Sequence, residues 1–283
     1  EFLACEKKYV AFGGARGGGK SWAVRCKAKL LALRYAGIRI LLVRRSLAEL
    51  EANHLAFLRQ ELADVAEYRA GERQFRFCNG SVLQFGYCGC DRDLDRYQGA
   101  EYDVIFLDEA TQLKEQWMRQ IAACVRGVND FPKRIYYTCN PGGPGHGYIK
   151  RLFIDRRFED GEQPEDYAFI PARVTDNTAL LARQPDYLKT LEALPYKLRR
   201  AWLEGRWDVF AGQVFQEFTD DPDHYDDRRW THVIRPFDVP REWNIYRSYD
   251  FGYARPFSCG WWAVDHDGCV YRIAELYGCT GTP

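Results

Sequence analysis

The chain has 283 residues, of which 46% are hydrophobic and 15% aromatic, so it can bury the core of one large domain or two smaller ones. Its 40 basic and 40 acidic residues cancel. This balance argues against a protein that simply coats DNA, although a local basic channel is compatible with a neutral chain. The sequence contains no apolar run of about 18 residues and no signal peptide, so we expect a soluble cytoplasmic protein without a membrane span.

The ten cysteines are scattered along the chain, with no C-x-x-C pair and no Cys/His tetrad. In a reducing compartment this pattern predicts free and mostly buried thiols. The sequence begins at Glu1 without a methionine and ends at Pro283 within an alternating pattern. We therefore expect it to be part of a longer chain.

The first chemically informative stretch is glycine-rich and reads Gly-Gly-Ala-Arg-Gly-Gly-Gly-Lys-Ser over residues 13–21. It follows a short apolar strand pattern at 9–12 and precedes a helical pattern whose apolar positions are Ala23, Cys26, Leu30 and Leu33. Strand, glycine-rich turn and helix form the context in which G-x-x-x-x-G-K-[ST] binds a nucleotide. A glycine-rich turn that binds nothing is the alternative.

In such a phosphate loop, backbone N–H groups point at phosphate oxygens and the helix N-terminus adds a positive potential. Lys20 would reach the β- and γ-phosphates, and the Ser21 hydroxyl would bind Mg²⁺. The predicted ligands are therefore ATP and Mg²⁺. The predicted nucleotide-binding residues are Gly14, Arg16, Gly17, Gly18, Gly19, Lys20 and Ser21.

The sequence also predicts the secondary-structure elements that follow the first helix. Residues 38–43 form an apolar run that predicts a buried parallel strand. Ser46 and Glu49 form a capping box for a helix with a leucine-rich face. Two alternating runs joined by Asn-Gly, over residues 74–85, predict a β-hairpin. The charged residues 91–96 are interpreted as a solvated loop.

Residues 104–107 form a second apolar strand pattern, which ends in Asp108 and Glu109. An acid at this place fits the second metal-site element of P-loop enzymes, where Asp108 would hold Mg²⁺ directly or through water. Glu109 is placed to orient an attacking water, which favours NTP hydrolysis over phosphate transfer to a bound acceptor. The alternative is a surface acid that caps the next helix.

A third strand pattern, residues 134–138, ends in Cys139-Asn140-Pro141 and two glycines. A polar residue at the carboxyl end of a strand lies where open α/β sheets bind their ligands. Asn140 is therefore predicted to sense the γ-phosphate and to pass that state to the following segment. Asn-Pro-Gly is also ordinary turn chemistry, so a purely structural role remains open.

From residue 142 to about 207 the sequence becomes helical and basic, which predicts a small helical lid. The pattern then changes to β-type runs at 245–251, 257–264 and 269–276, which predict three antiparallel strands that begin a second α/β domain. Asp250 lies in the first run among aromatic and apolar neighbours. A lone carboxylate there is costly to bury unless it binds a metal or joins a hydrogen-bond network.

Taken in order, these motifs resemble the large terminase subunit of tailed bacteriophages, the ATPase motor and nuclease that packages viral DNA. The resemblance spans nearly the whole chain, and the ordered set is much more specific than the phosphate loop alone. The matching segments are residues 13–21, 97–111, 138–141 with 145–147, 205–207, 212–215 and 249–252.

The resemblance implies a P-loop NTPase domain with a parallel sheet and a small helical lid, followed by the start of a ribonuclease-H-like α/β nuclease domain. The corresponding boundaries are 1–172 for the ATPase core, 173–209 for the lid and linker, and 210–283 for the N-terminal part of the nuclease domain. The resemblance also implies that the strand before Asn140 lies between the other two strands of the phosphate site.

In that family, Asp108 and Glu109 would form the acidic pair, Asn140 would belong to the coupling motif, and Arg16 would act near the γ-phosphate. Asp250 matches the first nuclease ligand for Mg²⁺ or Mn²⁺. The implied partners are double-stranded DNA, the portal protein, the small terminase subunit and further copies of the chain in a ring. The implied location is the cytoplasm of the infected bacterial host, with no membrane involved.

The acids near Asp250 do not complete a two-metal nuclease site, which needs several carboxylates around closely spaced ions. Asp265 and Asp267 fall on a turn at the far end of the second strand, and Glu275 lies two strands across. We therefore expect the remaining nuclease ligands beyond Pro283.

Two other functions stay open. A helicase-type P-loop ATPase shares the acidic pair and the polar coupling strand, but it leaves the ribonuclease-H-like strands unexplained. A nucleotide-gated structural module would bind ATP without turnover, and Glu109 argues against it. If a neighbouring subunit supplies an arginine to the γ-phosphate, the candidates are Arg59, Arg73 and Arg96, each equally interpretable as a surface charge.

Overall fold

A computed structural model describes residues 1–209, 218, 220–227, 229, 231–251 and 257–278. Two of the segments that carry the family resemblance, 212–215 and Gly252, lie outside these residues. The chain divides into two compact units, Glu1–Asp220 and Asp221–Pro283. Within the described residues, no helix has the length and apolar character needed to cross a membrane.

The first unit is built on one large, mostly parallel sheet with the strand order β3-β4-β5-β2-β6-β7-β1-β8. The run from β5 to β8 is parallel throughout, whereas β3, β4 and β5 pair antiparallel. The predicted α/β fold is confirmed, and β7 lies between β6 and β1 as the resemblance implied. The strands are β1 (Tyr9–Gly14), β2 (Arg39–Arg44), β3 (Ala66–Arg69), β4 (Gln74–Phe77), β5 (Val82–Tyr87), β6 (Val104–Leu107), β7 (Arg134–Cys139) and β8 (Tyr167–Ala172).

Helices cover both faces of this sheet, and each face has its own hydrophobic cluster. This arrangement explains why the central strands read as continuous apolar runs rather than as alternating ones. The α-helices are α1 (Lys20–Arg34), α2 (Leu47–Leu50), α3 (Ala56–Glu61), α4 (Glu115–Ala122), α5 (His146–Ile149), α6 (Thr178–Arg183), α7 (Tyr187–Glu192) and α8 (Tyr196–Trp202). Shorter pieces are π-helical at Glu51–Leu55 and Lys150–Ile154, and 3₁₀-helical at Asp91–Tyr97, Ala110–Gln112, Pro164–Asp166, Val174–Asp176 and Pro222–His224.

The apolar positions that indicated α1 in the sequence do not all face the core, although Ala23 is buried. Leu30 and Leu33 are each 53% exposed, whereas Val24, Ala28 and Leu31 are buried. The buried stripe consists of small residues together with Leu31, which pack into the hydrophobic cluster on this face of the sheet. Leu30 and Leu33 are left at the surface, which is common because proteins expose much apolar area.

Two local predictions after β5 are also wrong. Residues 91–96 are not a solvated loop but part of the 3₁₀ helix Asp91–Tyr97, in which Leu94 and Tyr97 are buried. The basic stretch from residue 142 contains β8, which extends the sheet by pairing parallel with β1. Packing of Leu94 and Tyr97 into a hydrophobic cluster accounts for the first outcome, and pairing with β1 accounts for the second.

The second unit contains a three-stranded antiparallel sheet in the order β11-β10-β9. Its strands are β9 (Asn244–Asp250), β10 (Phe257–Val264) and β11 (Val270–Gly278), close to the predicted runs. The register between β10 and β11 shifts at Trp261/Trp262. The three antiparallel strands are thus confirmed within the residues that the structure describes.

The cysteines in the described residues are unpaired, as predicted, but only some are buried. Cys88, Cys124, Cys139 and Cys259 are buried, whereas Cys78, Cys90 and Cys269 are exposed.

Gly13 fixes how closely β1 approaches β7, because it pairs with Cys139 and has no room for a side chain. A Cβ at Gly13 would fall far inside van der Waals contact with the carbonyl oxygen and Sγ of Cys139. We expect Gly13→Ala to lower the free energy of unfolding by about 3 kcal/mol, measured by denaturant melts. Gly71→Ala is the matched control, since a Cβ there meets no atom within 4 Å. Equal stability of the two variants would contradict this packing.

Candidate functional site

The phosphate loop connects β1 to α1, and three of its glycines have positive φ, including Gly14 at 123°. Gly17 has φ 76° and Gly19, the residue that caps α1, has φ 74°. A Cβ at Gly17 would also lie 2.7 Å from the Tyr187 ring. Only glycine adopts this turn at low cost, and the turn leaves backbone N–H groups available for phosphate oxygens.

Lys20 is buried at the start of α1, where its Nζ donates a hydrogen bond to the Ala15 carbonyl oxygen at 2.5 Å. Burial lowers the pKa of Lys20 to about 8, with the carboxylates of Asp108 and Glu109 acting in the opposite direction. The nearby thiol of Cys139 stays neutral, because burial raises its pKa to about 12. A buried lysine that donates to a carbonyl oxygen is prepared to exchange that bond for a phosphate oxygen.

Asp108 follows β6 and is almost completely buried, with partners on both carboxylate oxygens. The Thr138 hydroxyl donates to Oδ1 at 2.5 Å, and Nε2 of His54 lies 2.8 Å from Oδ2. Arg44 Nη1 lies 3.4 Å from the same Oδ2. Burial alone would raise the pKa of Asp108, but His54, Arg44 and Thr138 outweigh it and hold the pKa well below its usual value.

Glu109 adopts a backbone conformation that is rare outside glycine, with φ 52° and ψ 48°. Its N–H donates to Thr138 Oγ1 at 2.8 Å, and its Oε1 lies 2.8 Å from Arg44 Nη2. The side chain is 37% exposed, in contrast to the buried Asp108 next to it. Strained backbone of this kind persists where surrounding contacts enforce it, and it clusters at functional sites.

Asn140 follows β7, the strand between β6 and β1, so the topology brings it to the edge of the sheet that carries Asp108 and the phosphate loop. Its carbonyl oxygen accepts a hydrogen bond from Thr111 Oγ1 at 2.9 Å. Its amide Oδ1 is buried and has no hydrogen-bond partner among the described residues. An unpaired buried amide oxygen is costly and leaves an acceptor available for a ligand or water.

Arg16 contacts the helical segment rather than the acidic pair. Its N–H donates to the Trp202 carbonyl oxygen at 2.7 Å, and its guanidinium carbon lies 3.4 Å from the centre of the Trp202 ring. The same segment reaches Gly17, whose carbonyl oxygen accepts from Asn177 Nδ2 at 2.7 Å. The predicted lid therefore touches the phosphate loop through both backbone and side chains.

The donor set at this edge fits Mg²⁺ bound together with a nucleotide. Ser21, the second residue of α1, offers a hydroxyl, and Asp108 offers a carboxylate that stays ionised because its pKa is strongly lowered. Both are hard oxygen donors of the kind that Mg²⁺ prefers, and Mg²⁺ usually binds through one or two protein ligands plus phosphates and water.

The predicted nuclease residue Asp250 does not have the environment inferred from the sequence. It is the last residue of β9, it is exposed, and it lies opposite Ser258 of β10. Its surroundings therefore give no desolvation argument for a metal. Glu275 Oε1 lies 3.4 Å from Ser258 Oγ. Among the described residues, no group of three or more acidic, histidine or cysteine side chains is placed to hold a metal.

The three arginines considered as fingers from a neighbouring subunit have partners within the chain. Arg59 pairs with Glu51 at 2.8 Å, and Arg96 pairs with Asp93 at 3.2 Å. Arg73 and Arg96 both lie over the Tyr87 ring. None of these contacts distinguishes one arginine from the others, so the trans arginine remains a prediction.

Sequence reasoning missed four residues that contact the predicted ones: Arg44, His54, Thr138 and Trp202. Arg44 had a usable signal, because it ends β2, the neighbour of β6, with Val43 paired to Leu107. Thr138 is the last residue but one of β7. It could have been placed by the same argument, because the carboxyl ends of neighbouring parallel strands lie at one edge of the sheet. His54 and Trp202 had no local signal, since helix packing brings them to the site.

The comparisons with known proteins agree with this fold. A family model described as "Terminase large subunit, T4likevirus-type, N-terminal" matches residues 11–219. No curated protein sequence matches the chain. The large terminase of the thermophilic bacteriophage D6E, solved with ADP, is 18% identical with a TM-score of 0.58 and covers 96% of this chain. The same D6E protein solved with ATP-γ-S is 17% identical with a TM-score of 0.56, over the same share.

A further similar structure is a point mutant of the Thermus phage P74-26 large terminase ATPase domain. It is 16% identical with a TM-score of 0.52, over 72% of this chain and 90% of that domain. The present chain spans 63% of the D6E protein's length in both complexes. At these identities the structures establish the fold, whereas the family model covers most of the chain in sequence. The chain therefore belongs to the terminase large subunit family.

Proposed function

We propose that this chain hydrolyses ATP and thereby drives the packaging of double-stranded viral DNA. The observation that carries the proposal is the arrangement at one edge of the sheet. The glycine turn and Lys20 follow β1, while the acidic pair follows β6, two strands away. The family membership and the nucleotides bound to D6E large terminase support the same conclusion.

In this proposal the phosphate loop binds the ATP phosphates through its backbone N–H groups, and Lys20 exchanges its bond to Ala15 for the β- and γ-phosphates. Ser21 and Asp108 would hold Mg²⁺, which would supply neutralisation of phosphate charge. Glu109 accepts a proton from the attacking water, with Arg44 fixing the orientation of its carboxylate. Arg16 leaves Trp202 to stabilise charge on the γ-phosphate.

Asn140 is the proposed coupling residue, because it joins the strand between the two phosphate-site strands to the segment that follows. Its amide oxygen, which has no hydrogen-bond partner in the part of the chain that the structure describes, can accept a hydrogen bond from a water at the γ-phosphate. The direct contacts of Arg16 and Gly17 with residues 173–209 give a second route by which the nucleotide state reaches the helical segment.

The wider assignments follow from the family and stay proposals. Residues 1–172 would be the ATPase core, 173–209 the lid and linker, and 210–283 the first part of a ribonuclease-H-like nuclease domain. Asp250 would bind Mg²⁺ or Mn²⁺ there together with acids beyond residue 283. The proposed partners are double-stranded DNA, the portal protein, the small terminase subunit and other copies of this chain in a ring, in the cytoplasm of the infected host.

Stimulation by DNA tests the motor function. We expect phosphate release from ATP by the purified chain to rise several-fold when linear double-stranded DNA is added. Lys20→Ala should show no release with or without DNA. A rate of phosphate release that does not change when DNA is added would contradict the motor role. ATP binding without turnover under any condition would favour the nucleotide-gated structural module.

A further inference from the structure

A π-helical turn, Glu51–Leu55, interrupts the helix between α2 and α3 on the side of the sheet that carries α1. A π turn inserts one extra residue into the helix and widens it, and such turns occur frequently at functional sites. His54 lies on this turn, and its side chain is completely buried.

Two contacts compensate for the widened turn. Asn53 Nδ2 donates to the Glu49 carbonyl oxygen at 2.8 Å, and the Asn53 carbonyl oxygen accepts from Arg25 Nη1 at 2.7 Å. Arg25 belongs to α1, the helix that begins at the phosphate loop, and it is itself buried. The π turn is therefore anchored to the nucleotide side of the fold rather than left as an irregularity.

The turn directs His54 at Asp108, with Nε2 2.8 Å from Oδ2. Because an ionised carboxylate only accepts hydrogen bonds, Nε2 must carry the hydrogen. Nδ1 has no hydrogen-bond partner among the described residues. The imidazole thus has one specific contact in this environment, and that contact is with the predicted Mg²⁺ ligand.

Asp108 is held at two points by donors from different elements. Thr138, on β7, fixes Oδ1, and His54 fixes Oδ2. Arg44 Nη1 approaches Oδ2 at 3.4 Å, but it makes no hydrogen bond in the described residues. Without His54, the plane of the carboxylate would be fixed by a hydrogen bond at one oxygen only.

We propose that His54 is a positioning residue for Asp108: its Nε2–H sets the orientation in which the carboxylate faces Mg²⁺. The proposal rests on the proposed nucleotide site. Groups that orient a metal ligand in this way typically change metal affinity or activity about 10–100-fold when they are removed. The effect of His54 is therefore expected in the Mg²⁺ requirement, and not in the contacts that the phosphate loop makes with the nucleotide.

The test compares His54→Leu and His54→Asn, which lose the hydrogen bond, with His54→Gln, whose amide N–H has nearly the reach of Nε2. His266→Gln is the matched control, since His266 is exposed on the turn after β10. Binding of a fluorescent ATP analogue to the full chain is measured in EDTA and during a Mg²⁺ titration. Phosphate release is recorded in parallel.

We expect the leucine and asparagine variants to need about 10–100-fold more Mg²⁺ at the midpoint of the titration. His54→Gln should recover most of this loss, and His266→Gln should match the wild type. Binding in EDTA should stay within about threefold for every variant, which a general loss of structure would not allow. If His54→Leu does not melt cooperatively, it is not properly folded, and the comparison of His54→Asn with His54→Gln tests the proposal instead.

An unchanged Mg²⁺ midpoint in His54→Asn would overturn the proposal, and so would a glutamine variant as impaired as asparagine. A wild-type chain that binds Mg²⁺ and nucleotide without releasing phosphate would refute the proposed hydrolysis while leaving the His54 comparison valid. A wild-type chain that binds no nucleotide would refute both the proposed hydrolysis and the proposed role of His54.

Discussion

Glu109→Gln is expected to lower kcat for ATP hydrolysis by about 10²–10⁴-fold, the usual contribution of a general base. The amide has the same shape and keeps an oxygen for Arg44, but it cannot take a proton from water. Because this interaction operates in the transition state, nucleotide affinity should stay within a few-fold of the wild type. Phosphate release and equilibrium binding of ATP, measured on the same preparation, check both halves.

The matched control is Glu115→Gln, an exposed glutamate on α4 whose partner is Arg119. It should hydrolyse ATP at the wild-type rate. Normal turnover by Glu109→Gln would show that Glu109 is not the general base. If Glu109→Gln loses both nucleotide binding and turnover, Glu109 has a structural role in the site, with which its strained backbone conformation is also compatible.

Lys20→Ala should weaken nucleotide binding by about 100-fold or more, because a buried charged donor to phosphate is typically worth 2–3 kcal/mol or more. The exposed Lys189, which pairs only with Asp186 among the described ion pairs, provides the control substitution Lys189→Ala. Isothermal titration with ATP and Mg²⁺ measures both variants. Wild-type affinity in Lys20→Ala would contradict the phosphate-loop assignment.

The lowered pKa of Lys20 adds a pH dependence with a definite sign. In the free protein the side chain is charged below about pH 8 and neutral above it. Phosphate binds the charged form, so affinity in the wild type should fall as the pH rises through about 8. The alanine variant has no such group and should not show this fall. A wild-type affinity that rises over this range would contradict the lysine contact.

The positions of the glycine-rich turn before α1 and of the two acids after β6 could be predicted from the sequence because each has a local signature. A glycine pattern lies between strand and helix, and two acids end an apolar strand. Because the carboxyl ends of parallel strands meet at one edge of the sheet, both are expected there, and the observed strand order agrees. The order of β6, β7 and β1 came from the family resemblance, since local patterns do not specify which strands are neighbours.

The residues that support the acidic pair could not be predicted in the same way. Arg44 reaches Asp108 and Glu109 only because β2 and β6 are paired in one particular register. His54 depends on an extra residue in a helical turn, which no capping or periodicity signal reveals. Long-range packing, rather than local propensity, decides these contacts.

The exposure of Leu30 and Leu33 on α1 has a related cause. Both are apolar in the sequence, but the face of α1 that packs against the sheet carries Val24, Ala28 and Leu31 instead. The prediction that Asp250 is buried is also wrong. Its neighbours in sequence are aromatic and apolar, but they do not bury it in the small β9–β11 sheet. Burial depends on what covers a strand, and one strand's sequence does not contain that information.

We propose that this chain hydrolyses ATP at the edge of the sheet where Lys20, Asp108 and Glu109 lie. The most direct measurement is single-turnover release of phosphate from ATP, with the wild-type chain in excess, in Mg²⁺ and in EDTA and with double-stranded DNA present. We expect one equivalent of phosphate in Mg²⁺ and none in EDTA. No phosphate from ATP that is demonstrably bound in the presence of Mg²⁺ and DNA would contradict the claim.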